Sequence, residues 1–187
     1  MVYVVLAAGS SSRMGFDKAT APVGSQAPLQ RVARALEHRP AVVVVPGRLA
    51  QIATTMMPGA RVVVNDEPSR GMTQSLRLAL GVIPAAESFG VLLADMPAMT
   101  AETIRRTESA LGTDADVAYP VSAGGIAGHP VLFAARARAV IEALPDGDLL
   151  RLARDDATFR RATWICTDSS AFLDLDVPAQ WEAFSDA

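Results

Sequence analysis

Three groups of residues in this chain have the types and spacing for phosphate chemistry. The first is the run Leu6-Ala7-Ala8-Gly9-Ser10-Ser11-Ser12-Arg13-Met14-Gly15-Phe16-Asp17-Lys18. Small residues from Ala7 to Ser12 let backbone N–H groups approach a polyphosphate, and Arg13 and Lys18 add full charge to those dipoles. Lys18 is the only lysine among 17 basic residues, a compact point charge of the kind that suits a phosphate. The second is Asp95, which directly follows the apolar run Gly90 to Ala94 and precedes Pro97, so it projects from the carboxyl end of a strand. The third is Asp176, with Asp174 as its alternative, in the extended stretch Phe172 to Asp176. Octahedral Mg²⁺ takes one or two protein carboxylates beside phosphate oxygens and water, so Asp95 with Asp176 is a sufficient set.

Other chemistries are excluded by what the chain lacks. Gly15 is followed by Phe16, Asp17, Lys18 and Ala19, whereas a Walker loop needs Lys then Ser or Thr directly after its last glycine. After Gly9 no second glycine arrives until Gly15, which breaks the dinucleotide fingerprint and argues against a nicotinamide-dependent reductase. A net charge of -3 gives no electrostatic footprint for nucleic acid. The longest apolar stretches, Val2 to Ala8 and Ala41 to Pro46, fall well short of the roughly 20 residues a membrane helix needs, so a cytoplasmic protein is expected. Cys166 is the sole cysteine, which rules out an internal disulfide and reads as a buried small hydrophobe.

The elements that must hold these groups alternate between β-rich runs and helical patterns, the mark of parallel strands with helical crossovers. With 187 residues, half of them hydrophobic and a fifth charged, one domain spanning 1–187 is expected. Strands are expected at Val2 to Ala7, Ala41 to Val45, Arg61 to Val64, Gly90 to Leu93, Ala115 to Tyr119, Pro130 to Phe133 and near Thr163 to Cys166. Leu29, Val32, Ala33 and Leu36 share one helical face, and helices are expected at Leu49 to Met57, Met72 to Leu80, Thr100 to about Leu111, around Ala137 to Leu144, and from Pro178. Thr100 is a cap and Glu102 lies in the positive first turn. The architecture implied is a three-layer α/β/α sandwich with a mostly parallel, Rossmann-like sheet, in which the loop after the first strand is the usual phosphate site. His38 reads as a surface residue, and Trp164 and Trp181 as packing residues remote from that loop.

Leu6-Ala7-Ala8-Gly9, Ser12-Arg13-Met14-Gly15 and Lys18 resemble the signature loop of nucleotidyltransferases related to the molybdenum cofactor cytidylyltransferase, the MobA-like NTP transferases. Further segments agree in order: Gly71-Met72-Thr73-Gln74-Ser75-Leu76, Ala94-Asp95-Met96-Pro97, Gly128-His129-Pro130-Val131-Leu132-Phe133 and Leu173-Asp174-Leu175-Asp176-Val177-Pro178. The resemblance implies transfer of a nucleoside monophosphate from a triphosphate to a small phosphorylated acceptor, with Mg²⁺ on Asp95 and Asp176, Arg13 on the departing pyrophosphate and Lys18 on the α-phosphate. Leu6, Ala7, Ala8, Gly9, Ser10, Gly71 and Ser75 would complete the nucleotide site, and His129 would border the acceptor. Ala7-Ala8 resembles the cytidylyl branch, which favours CTP, with molybdopterin as acceptor and a molybdoenzyme or chaperone as recipient of the product. The chain departs from the family's Gly-Asp-x-Gly at Gly147-Asp148-Leu149-Leu150, where Arg151 stands as a substitute for that segment's arginine. Use of GTP or UTP, a sugar phosphate or methylerythritol phosphate acceptor, and a non-catalytic nucleotide-binding protein are the competing readings.

Overall fold

The computed structural model describes residues 1–8, 16–143, 154–175 and 178–185. Strands β1 (Val2–Leu6), β2 (Ala41–Val45), β3 (Arg61–Val64) and β4 (Phe89–Leu93) are mutually parallel. Strands β5 (Val117–Val121), β6 (Val131–Phe133) and β7 (Arg161–Ile165) complete a seven-stranded sheet of order β3-β2-β1-β4-β6-β5-β7. Continuous apolar runs such as Val-Tyr-Val-Val-Leu and Ala-Val-Val-Val-Val are what strands covered on both faces require.

Alternation along β1 sorts its side chains to two cores. Tyr3 and Val5 pack with Leu29, Val32 and Leu36 of α1 (Pro28–Leu36), Ala53 of α2 (Ala50–Met56), and Ile104 and Leu111 of α4 (Ala101–Leu111). Val4 and Leu6 pack with Leu76, Ala79 and Leu80 of α3 (Met72–Leu80) and Ile141 of α5 (Arg138–Ala143) on the other face. This is the three-layer sandwich expected. Helix α6 (Pro178–Ser185) follows at the C-terminal side. Pro28 opens α1, and Gln30 accepts the Ala27 N–H at 2.9 Å; Thr100 caps α4 by accepting the Thr103 N–H at 3.1 Å, supplying helix-start donors with partners.

One expectation needs correction. The fifth strand lies at Val117–Val121 rather than Ala115 to Tyr119 and includes Pro120. Strand β6 pairs only with Val117 and Ala118, so Pro120 lies beyond that ladder, where its missing N–H costs nothing. The three-residue β6 runs antiparallel to both neighbours, interrupting the parallel sheet.

At the amino edge, Arg39 grips Glu108 through Nε and Nη2 at 2.9 and 3.0 Å, and Tyr3 Oη donates to the same carboxylate at 2.7 Å. Arg136 and the Arg160 N–H hold Asp116, while Arg138 donates to the carbonyls of Leu80 and Ile83. These charges fasten the end of the sheet away from the candidate site.

Candidate functional site

The site forms along the carboxyl edge, where β1 and β4 end side by side. Leu6 pairs with Leu93, the Ala94 N–H donates to the Leu6 carbonyl at 3.1 Å, and the Ala7 N–H to that of Val44 at 2.9 Å. The chain leaving β1 through buried Ala7 and Ala8 therefore starts beside Asp95. It is anchored again beyond residue 15: the Asp17 carbonyl accepts N–H bonds from Thr20 and Ala21, and Leu29 donates to Ala19 at 3.0 Å. Lys18, half-buried, sits within that turn. The Asp17 carboxylate takes both Nε and Nη2 of Arg48, which follows β2, so the lysine's segment is tied to β2 as well as to α1. Gly9, Ser10 and Arg13 lie outside the described residues, as do Asp176 and the Gly147-Asp148 segment with Arg151.

Beyond β2, the end of β3 meets the start of α3. Asn65, 1% exposed, donates its Nδ2 to Ser75 Oγ at 2.8 Å and accepts the Glu67 N–H on Oδ1 at 2.9 Å. Ser75 is 4% exposed, so its hydroxyl oxygen is already engaged by an amide inside the fold. Gly71 precedes α3 with φ of 91°, a conformation open to glycine at no steric cost. Ser75 and Gly71 thus come together, with Asn65 as a partner that the motif reading missed.

On the other side of Asp95 lies the C-terminal segment. The Leu175 N–H donates to the Asp95 carbonyl at 3.0 Å and Leu175 is fully buried, which brings half-buried Asp174 to the same edge. Among the described residues no group of three His, Cys, Asp or Glu side chains converges on one point. Mg²⁺ asks less of a protein than that, and one carboxylate just beyond β4 with a second acidic segment bonded to its backbone fits such an ion. Trp181 of α6 packs edge-on against Phe16 at 5.1 Å, and the Arg31 guanidinium lies 5.1 Å from the Phe184 ring. Trp181 is therefore a packing residue, as expected, and its partner Phe16 lies two residues before Lys18. Trp164 packs elsewhere, its Nε1 donating to Thr107 at 3.1 Å. His38 is exposed and Cys166 buried, as expected.

Because β6 is antiparallel, its entrance lies at this same edge. Val131 pairs with Val91, and His129 lies two residues before Val131 in the chain entering β6. Its N–H donates to the Ala171 carbonyl at 2.8 Å, and its Nδ1 lies 3.3 Å from the Val91 carbonyl oxygen. Burial pushes the imidazole pKa down to about 4, with the positive charge of Arg154 acting the same way against the pull of the Val91 carbonyl. At neutral pH the ring is uncharged, with Nδ1–H directed at Val91. Gly128 permits this arrangement, since a Cβ there would collide with the Ala171 carbonyl oxygen and the Phe172 ring.

A family model described as the MobA-like NTP transferase domain matches residues 3–161. The chain belongs to the MobA-like NTP transferase family. Its nucleotidyl-transfer fold recurs in Rv0371c from Mycobacterium tuberculosis H37Rv, 26% identical, with a TM-score of 0.84 over 100% of this chain and 97% of that one. A manganese complex of Rv0371c is similar at 24% identity and a TM-score of 0.78, covering 100% and 97% of the two chains. A CMP:2-keto-3-deoxy-manno-octonic acid synthetase complexed with CTP shares the fold at 17% identity and a TM-score of 0.78, covering 99% and 96%. No curated protein sequence matches the chain. Within this MobA-like chain, the residues missed by sequence reasoning are Asn65, Arg48 and Phe16. Asn65 directly follows a strand, as Asp95 nearly does, and that position was the available signal. The other two carried none.

Proposed function

We propose that this MobA-like transferase is a single-domain, cytoplasmic, Mg²⁺-dependent cytidylyltransferase that moves CMP from CTP to a phosphorylated small molecule, with molybdopterin as the preferred acceptor. The observation that carries the reading is the Leu175–Asp95 main-chain bond, which draws a second acidic segment to Asp95. Among the described residues no helix is long and apolar enough to cross a membrane.

In the proposed reaction an acceptor phosphate oxygen attacks the α-phosphorus of CTP in line. The new P–O bond forms as the bond to the β-phosphate oxygen breaks, and pyrophosphate leaves with that electron pair. The acceptor is already anionic at neutral pH, so no protein base is needed and the work is positioning and charge compensation. Mg²⁺ held by Asp95 with Asp176 or Asp174 would supply charge neutralisation at the α- and β-phosphates. Lys18 faces the α-phosphate as it gains charge, and Arg13 holds the pyrophosphate. Leu6, Ala7, Ala8, Gly9 and Ser10 line the triphosphate, and Gly71, Ser75 and Asn65 form the base end. Half-buried and neutral, His129 borders the acceptor without repelling or attracting it through net charge.

The test is the melting-temperature shift of the protein with Mg²⁺ and each of CTP, GTP, UTP, ATP and NAD, beside Lys18→Ala. A ligand at ~100 times its dissociation constant stabilises by about 2.7 kcal/mol, several degrees for a domain of this size. We expect CTP with Mg²⁺ to give the largest shift and Lys18→Ala to lose most of it. A larger shift with GTP would overturn the base assignment, and equal indifference to every triphosphate would overturn the reaction.

A further inference from the structure

We propose that Arg154 grips the phosphate of the acceptor, approaching it from the β5–β6 side of Asp95. This assignment rests on the nucleotidyl-transfer reading and adds to it a residue that none of the recognised motifs contains. An in-line displacement sets its direction. Pyrophosphate leaves toward the loop after β1, so the attacking phosphate must enter from the opposite side, over the entrance to β6.

Arg154 stands there. Its guanidinium lies 5.3 Å from the ring centroid of Tyr119 in β5, one step beyond the Ala118–Leu132 pair and so beside Val131. The same charge is felt at His129, whose imidazole it helps to keep neutral. Stacking on a tyrosine orients the guanidinium plane. The side chain is only 21% exposed, while its neighbour Asp155 is 53% exposed.

Asp155 occupies one edge of the fork, accepting from Nε at 2.8 Å and from Nη2 at 2.9 Å. A guanidinium has five N–H donors, so the Nη1 edge remains for an anion. A pair between adjacent residues whose carboxylate is 53% exposed competes little, whereas a phosphate dianion on the fork is strong and geometrically matched. Other arginines in this half serve elsewhere: Arg136 and Arg160 hold Asp116, and Arg138 holds the carbonyls of Leu80 and Ile83, all at the amino edge. Arg106 covers Trp164.

The experiment uses the full chain, inorganic phosphate as the probe, and Mg²⁺ with a non-hydrolysable α,β-methylene CTP analogue to fill the nucleotide side. With only two histidines in the chain, the ring signals of His129 are identified by NMR against a His38→Gln variant and serve as the local reporter. In the wild type, phosphate is expected to shift them saturably. Arg154→Met should weaken phosphate about tenfold or more, as loss of a charged hydrogen-bond donor does, while leaving the melting shift produced by Mg²⁺ and the analogue unchanged. Asp155→Asn, which removes the competing carboxylate, should tighten phosphate. If Arg154→Met binds phosphate like the wild type, or the analogue-bound wild type shows no saturable response, the assignment of Arg154 is overturned while nucleotide binding stands. If the wild type gives no Mg²⁺-dependent shift with the analogue, the underlying reading falls and takes this assignment with it.

Discussion

Asn65 and Ser75 share a 2.8 Å hydrogen bond inside the protein, from the side-chain amide at the end of β3 to the hydroxyl in the first half of α3. Removing either partner leaves the other's polar atom buried without it, a loss of about 1–3 kcal/mol. We expect Ser75→Ala and Asn65→Ala each to lose stability in that range in urea unfolding, and the double variant to lose less than their sum by at least about 0.5 kcal/mol. Both should also weaken CTP. Additive losses would show that the two residues do not act as a unit.

The low pKa of His129 makes a pH prediction whose sign is fixed by linkage. In the unfolded chain an ordinary histidine, pKa about 6.5, takes up a proton before the buried one, held at about 4. The unfolded state therefore gains protons that the native state refuses as pH falls from about 6.5 to 4, and stability drops across that window. The stability difference between wild type and His129→Gln should shift by on the order of 1–3 kcal/mol between pH 7 and pH 4.5 in denaturant titrations. A difference constant with pH would mean that His129 titrates normally.

Gly128→Ala tests the packing that seats His129. A methyl group at this position meets a backbone carbonyl and an aromatic ring rather than a flexible side chain, so the local chain must shift. A cost of about 1–3 kcal/mol, as for other overpacked sites, is expected in thermal unfolding, with the His129 ring signals displaced. Triphosphate binding on the β1 side should survive. An unperturbed spectrum with wild-type stability would contradict the close approach.

Asp95→Asn separates metal from nucleotide. The amide keeps the volume and loses the charge, so the unliganded melting temperature should change little while the Mg²⁺-dependent part of the CTP shift disappears. Titration of Mg²⁺ at fixed CTP measures this directly, and wild-type metal dependence in the variant would place the ion on other groups.

How much of this was legible in the sequence depends on the range of the interaction that decides each feature. Strands β2 and β3, helix α3 and the Thr100 cap follow from local pattern, and the structure reproduces them. The direction of β6 does not, because three apolar residues look the same read either way. Strand β5 was misplaced since Pro120 contradicts strand propensity, and only the short reach of β6 makes it tolerable there. Period-two alternation cannot separate Asp174 from Asp176, because residues two apart in an extended chain share a side. Trp181 against Phe16 and Arg48 on Asp17 join segments far apart in sequence, and neither Trp181 nor Arg48 belongs to a motif.

The reversed strand has an evolutionary consequence. The four-strand parallel half on one side of it carries the loop after β1, Asn65 and Asp95, while the short turn at 122–127 and the His129 entrance sit in a detour leading into β6. A detour that begins and ends at the rim of the sheet can lengthen or change its residues without re-registering any strand of the parallel half. One unchanging grip on a triphosphate could thus be inherited by descendants that differ in what they hand it to.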